Sequence, residues 1–142
     1  MERIGRMIHY LGLLTRNNSN QRLKQYGLTG NEGSVLMFLK HHQDVYQEQL
    51  IKELQIDKSA VTRLLQNMEA KGLVERVALA RDKRFYLIKI TDLGRQKQDI
   101  VDQIFEQKDV DLVAGLSESQ QDELRRMLKI LEANLKGGKN DE

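Results

Sequence analysis

The sequence predicts a mainly α-helical fold carrying one small β-hairpin. Three observations lead there. Apolar residues recur at spacings of three and four in long stretches near both ends. The 142 residues include no Pro and only 5% aromatics, which favours helices over an extensive sheet. The one region that reads as paired strands, from residue 73 to 90, follows a helix-like run and is broken by the charged turn Arg81-Asp82-Lys83.

The elements follow in order. Residues 1–24 place Ile4, Met7, Ile8, Leu11 and Leu14 on one stripe of a first helix, whose second half is polar, and Tyr26-Gly27 closes it. Thr29 opens the next helix, with Glu32 three residues on as the partner of a capping box. Val35, Leu36, Phe38 and Leu39 are its expected buried residues, and it ends at His41-His42-Gln43-Asp44. Val45-Tyr46-Gln47 reads as a short extended piece, and residues 49–54 as a brief helix. Asp57 caps a second helix in which Val61, Leu64, Leu65 and Met68 face inward and Gly72 supplies the left-handed stop. Strands are expected over 73–77 and 84–90. Thr91 then caps a long helix running to about Val113 and ended by Gly115. Ser117 with Gln120 forms another capping box, and the last helix carries Leu124, Met127, Leu128, Leu131 and Leu135 on one stripe to about Lys136. Residues 137–142 read as a flexible tail.

Helix, short turn, helix, then a charged ribbon is the layout of a winged helix-turn-helix. The charge distribution fits it. Residues 58–89 hold eight Lys or Arg against three acids, a balance of +5, while the remainder of the chain is at −3. A basic module in a near-neutral chain is what a phosphate-binding face requires. The outward set on the second helix is Lys58, Ser59, Thr62, Arg63, Gln66 and Asn67. Arg63 suits a guanine edge, and Gln66 or Asn67 an adenine edge. Lys58, Ser59 and Thr62 suit phosphates at the helix N-terminus. At the hairpin tip, Asp82 is expected to hold Arg84 by a charge-assisted hydrogen bond and so organise the wing. Arg81, Lys83 and Arg84 are then the wing's DNA contacts, and either Arg81 or Arg84 could enter the minor groove.

The two terminal helices carry more apolar surface than a chain of this size can cover around such a module. A second copy would bury it, with Ile4, Met7, Ile8 and Leu11 at one end and Leu124, Met127, Leu128 and Leu131 at the other as dimerisation residues. The organisation expected is residues 1–28 and 92–136 for dimerisation around a reading region at 29–91. A two-fold dimer sets two reading helices roughly 34 Å apart, matching a palindromic operator in double-stranded DNA.

Other chemistries find little support. The absence of Cys removes disulfides, thiol nucleophiles and zinc–thiolate sites. No glycine-rich phosphate loop or Ser-His-acid motif is present, so no catalytic residue, cofactor or enzyme activity is expected. His9, His41 and His42 lack metal-binding spacing, so no metal site is expected. No apolar run approaches bilayer length and the start does not resemble a signal peptide, so no membrane partner and a cytoplasmic location are expected. Two alternatives remain: a metal-responsive regulator of the same fold, using His41 and His42, and a winged-helix module that binds protein.

The run Asp82-Lys83-Arg84, followed by Leu87, Ile90-Thr91 and Gly94, resembles the wing signature of the MarR family of regulators. Leu50, Leu54, Ser59, Val61, Thr62, Leu65, Met68, Lys71-Gly72-Leu73-Val74 and Arg76 resemble that family's helix-turn-helix, and Leu28-Thr29 its entry. The resemblance covers nearly the whole chain. It implies a homodimer with intertwined terminal helices and two winged helices on a palindromic promoter site, usually acting as a repressor. It also implies a small anionic or phenolic effector, which in many such proteins binds between the dimer helices and the reading lobe and weakens DNA binding. The thiol-based peroxide sensors of the family are disfavoured here by the lack of Cys.

Overall fold

The computed structural model describes residues 1–82 and 85–137. The element order is α1 (Ile4–Leu23), a 3-10 turn (Lys24–Tyr26), α2 (Gly30–His41), β1 (Val45–Tyr46), α3 (Gln47–Leu54), α4 (Lys58–Ala70), β2 (Val74–Ala78), β3 (Tyr86–Ile90), α5 (Asp92–Leu112) and α6 (Glu118–Gly137). The fold is mostly helical with a small antiparallel sheet, as expected. The chain divides into two compact units, Met1–Glu106 and Gln107–Glu142.

The helix boundaries follow their caps. The Thr29 hydroxyl accepts from Glu32 N at 3.2 Å, and the Glu32 carboxylate accepts from Thr29 N at 2.9 Å, completing the expected box. The Asp57 carboxylate accepts from Ala60 N at 2.7 Å and starts α4. Gly72, at φ +75°, takes the left-handed conformation after it. Ser117 and Gln120 exchange the two hydrogen bonds of the last box. The polar half of α1 is fully helical, because Asn20 and Ser19 pack on the start of α2: the Asn20 side-chain oxygen accepts from Gly30 N at 2.6 Å.

Several features differ from the sequence reading, among them the start of β3, which leaves out Phe85 although a strand over 84–90 was expected. α3 begins at Gln47 rather than Gln49, since Gln49 is the third helical residue, reaching back to accept from Tyr46 N at 2.7 Å. β2 lies one residue later than expected, because Leu73 N closes the α4 cap onto Met68 O instead of joining the ladder. The sheet also has three strands, ordered β1-β3-β2, where a two-stranded hairpin was expected. Val45 and Tyr46 pair with Ile88 and Leu87, while β2 pairs with β3 from Val74↔Ile90 to Ala78↔Tyr86.

The core lies in the first unit. Leu23 and Leu28 from the α1 end, Val35 and Leu36 of α2, Leu50 of α3, Val61, Leu65 and Met68 of α4, Val74 and Ile88 of the sheet, and Val101 of α5 are buried together. Each such side chain contributes roughly 1.5–3 kcal/mol by leaving water. Phe38 and Leu39 are only half-buried at its margin. Among the described residues of the second unit none is fully buried. Glu32 and Gln98 are among the polar groups enclosed with partners. Glu32 receives Lys71 Nζ at 2.7 Å, and Lys71 also donates to Gly27 O at 2.9 Å, tying the end of α4 to the start of α2. Gln98 donates to Leu36 O at 2.8 Å. No helix among the described residues is long and apolar enough to cross a membrane.

Candidate nucleic-acid interface

α4 owes its two faces to spacing. Positions 61, 65 and 68 fall on one stripe and are fully buried, and Leu64 beside them is half-buried. That fixes the rotation of the helix and turns Lys58, Ser59, Arg63, Gln66 and Asn67 to solvent. α3 braces α4 from behind. The link between them turns through Gln55, whose φ of 54° is left-handed and whose N–H donates to Ile51 O at 3.1 Å.

Thr62 differs from the rest of the expected set. It is half-buried, its hydroxyl donates to Lys58 O at 2.9 Å, and the oxygen accepts from Gln47 Nε2 at 2.9 Å. Its proton is therefore committed within the protein.

The β2–β3 hairpin stands beside α4 in the chain and is pinned at its base by Thr91. The Thr91 hydroxyl lies 2.6 Å from Gly72 O and 3.0 Å from Leu73 O, and accepts from Gly94 N at 3.0 Å. Toward the tip, Leu79 N donates to Phe85 O and Phe85 N to Asp82 O. Arg81 is exposed and Asp82 half-exposed. Lys83 and Arg84 lie outside the described residues, and so does the expected Asp82–Arg84 bond.

The basic balance of this region is smaller at the surface than in the sequence. Lys71 is turned onto Glu32. Arg76 Nε donates to Glu69 at 2.7 Å, and its guanidinium sits 4.9 Å from the centre of the Tyr86 ring. Lys58, Arg63, Arg81 and Lys89 are exposed cations. The sequence reading missed the two internal pairings and Gln47. The signal for Arg76 was present, since Glu69 lies at the end of the helix that precedes it.

The terminal stripes are open in the single chain. Ile4 is 66% and Leu11 51% exposed, Met7 and Ile8 are exposed, and on α6 Met127 and Leu128 are exposed while Leu124 and Leu131 are half-buried. Among the described residues no three His, Asp or Glu side chains converge as a metal site would need. The His42 ring stacks on Phe38 at 3.9 Å, with Nδ1 3.0 Å from Phe38 O.

Comparison with known proteins agrees with this architecture. The MarR family model matches residues 26–84. The chain is 37% identical over 71 residues to the helix-turn-helix transcriptional regulator YdgJ of Bacillus subtilis (strain 168), covering 50% of this chain and 43% of that protein. It is 32% identical over 91 residues to the multiple antibiotic resistance protein MarR of Escherichia coli (strain K12), covering 64% of this chain and 63% of that one. The matches thus span less than two thirds of either relative. In three dimensions the likeness is longer. The crystal structure of the S. aureus MepR–DNA complex superposes with a TM-score of 0.86 at 26% identity, over 94% of this chain and 99% of that one. Over residues 26–84 in sequence, and over nearly the whole chain in fold, the chain is similar to the MarR family of transcriptional regulators.

Proposed function

We propose that this protein is a cytoplasmic, homodimeric repressor that reads a palindromic operator with α4 and flanks it with the β2–β3 wing. One observation carries the reading. A single rigid helix, locked by Val61, Leu65 and Met68, presents Lys58, Ser59, Arg63, Gln66 and Asn67 to solvent with no acidic side chain among them. Arg63 is the base-reading residue, Gln66 and Asn67 read neighbouring edges, and Lys58 and Ser59 hold backbone phosphate at the helix start. Arg81 and, from the sequence, Lys83 and Arg84 serve the wing. That a relative of the same fold has been crystallised on DNA supports this use.

Dimerisation is supported by the exposed apolar stripes of α1 and α6, which a second copy would cover. Release by an effector is supported by a cavity of about 410 Å³ lined by Arg16, Asn20 and Lys24 of α1, Leu28, Thr29 and Asn31, and Leu64 of α4. Arg16 and Lys24 beside Leu28 and Leu64, in a half-open groove, suit a small anionic or phenolic compound, and a ligand there would touch both α1 and α4. Replacing Arg63 with Ala tests the reading helix. Affinity for the cognate site should fall by about 1–3 kcal/mol, with relaxed discrimination at one base pair. Binding of every sequence with wild-type affinity would remove α4 from the interface.

A further inference from the structure

Gln47, the first residue of α3, is a buried polar side chain that ties the chain leaving β1 to α4, beside the direct Arg76–Glu69 bond and the apolar packing that join β2 and β3 to that helix. It directly follows β1, which is paired to Leu87 and Ile88 of the wing strand β3. It is 7% exposed, and its Nε2 donates to the Thr62 hydroxyl on α4 at 2.9 Å. Thr62 in turn donates to Lys58 O, at the first turn of the same helix. The chain of bonds therefore runs from the sheet, through one amide, to the start of the proposed reading face.

The amide is only half satisfied. Gln47 Oε1 is buried with no hydrogen-bond partner. Turning the amide over does not help. Its oxygen would then meet a hydroxyl whose proton already serves Lys58 O, and its NH₂ would be the orphan. An apolar side chain of the same length would fill this place, removing both the unpaired oxygen and the bond to Thr62.

We propose that Gln47 is a positioning residue, which fixes the angle between the reading helix and the wing by holding Thr62. This rests on the DNA-reading assignment of α4. Holding Thr62 sets the geometry in which Lys58, Ser59 and Arg63 meet a half-site.

The test uses the full-length protein with Gln47→Met, Thr62→Val and the double variant. Each is measured by urea unfolding and by its Kd for a selected operator duplex and for a random-sequence duplex. Gln47→Met should unfold at the same or higher urea concentration, because the orphan oxygen is gone. Its operator Kd should rise about tenfold while the random-sequence Kd stays within about twofold. Fewer folded molecules would weaken both duplexes alike, so this split separates positioning from stability. The double variant should bind no worse than the weaker single variant, since both remove one bond. If Gln47→Met does not fold, the same split in Thr62→Val decides the matter. The proposal is overturned by an operator Kd within about twofold of wild type, by equal loss on both duplexes, or by additive losses in the double variant. Wild-type protein with no preferred duplex would overturn the DNA-reading assignment and this proposal with it.

Discussion

Gly94 offers a sharp test of how the wing is fixed to the helix that follows it. It is the third residue of α5, and a Cβ there would lie 2.2 Å from Leu73 O and 2.6 Å from Ile90 Cγ1. The carbonyl cannot easily retreat. Leu73 O accepts from Thr91 N at 3.1 Å and faces the Thr91 hydroxyl at 3.0 Å, and Leu73 itself is buried. Non-bonded atoms sit comfortably at about 3.5 Å, so in Gly94→Ala the start of α5 must lift by roughly 1 Å from the sheet. Overpacking of this kind costs typically 1–3 kcal/mol, and an obstructing backbone atom places it at the upper end. Alanine returns about 0.5–1 kcal/mol through helix propensity. The net expectation is a loss of about 2 kcal/mol, or a fall of roughly 4–8 °C in Tm for a chain of this size. Thermal and urea unfolding at one fixed protein concentration measure it, since a dimer's stability depends on concentration. A Tm equal to or above wild type would mean that α5 does not approach the strand so closely.

Other perturbations separate the parts of the account. Lys71→Met removes the cation from Glu32, whose side chain is 2% exposed. Because Thr29 N remains and Lys71 is itself 41% exposed, the loss should be about 2 kcal/mol in urea unfolding, below the 3–5 kcal/mol of a fully enclosed pair. An unchanged midpoint would show that the pair does not join α2 to α4. Arg81→Ala should weaken DNA binding on all sequences and reduce the slope of log K against log salt by about 0.9 per site contacted. An unaltered slope would take Arg81 off the phosphates. Leu11→Asp places a charge in the α1 stripe and should shift the protein toward monomer in sedimentation, with parallel loss of operator affinity. A dimer of wild-type strength would move the interface elsewhere.

What could be read from the sequence was what local rules govern. Thr29 with Glu32, Asp57, Gly72, and Ser117 with Gln120 mark helix ends through contacts within a few residues, and the inward stripe of α4 follows from 3.6-residue periodicity alone. Val45-Tyr46 was legible as extended, but its place in the sheet was hidden, because two residues show no alternation and their partners, Ile88 and Leu87, lie more than forty positions later. The fate of the charges was hidden for the same reason. Lys71 and Arg76 count as part of a basic face in the sequence, yet tertiary structure turns one onto Glu32 and the other onto Glu69 and Tyr86. Thr62 sits at a position that helical spacing shares between the two faces, and only the arrival of Gln47 decides how its hydroxyl is used. The wing tip was the most specific motif in the chain, and its Lys83 and Arg84 lie outside the described residues.

The central claim is that a dimer of this chain reads DNA through two copies of α4. It is tested most directly by selecting genomic fragments with the purified protein and footprinting the enriched ones across a salt series. The account predicts a protected palindrome whose half-sites lie one helical turn apart, roughly 34 Å, occupied by two chains, with affinity falling steeply as salt rises. No enriched sequence, or weak binding indifferent to salt, would contradict it.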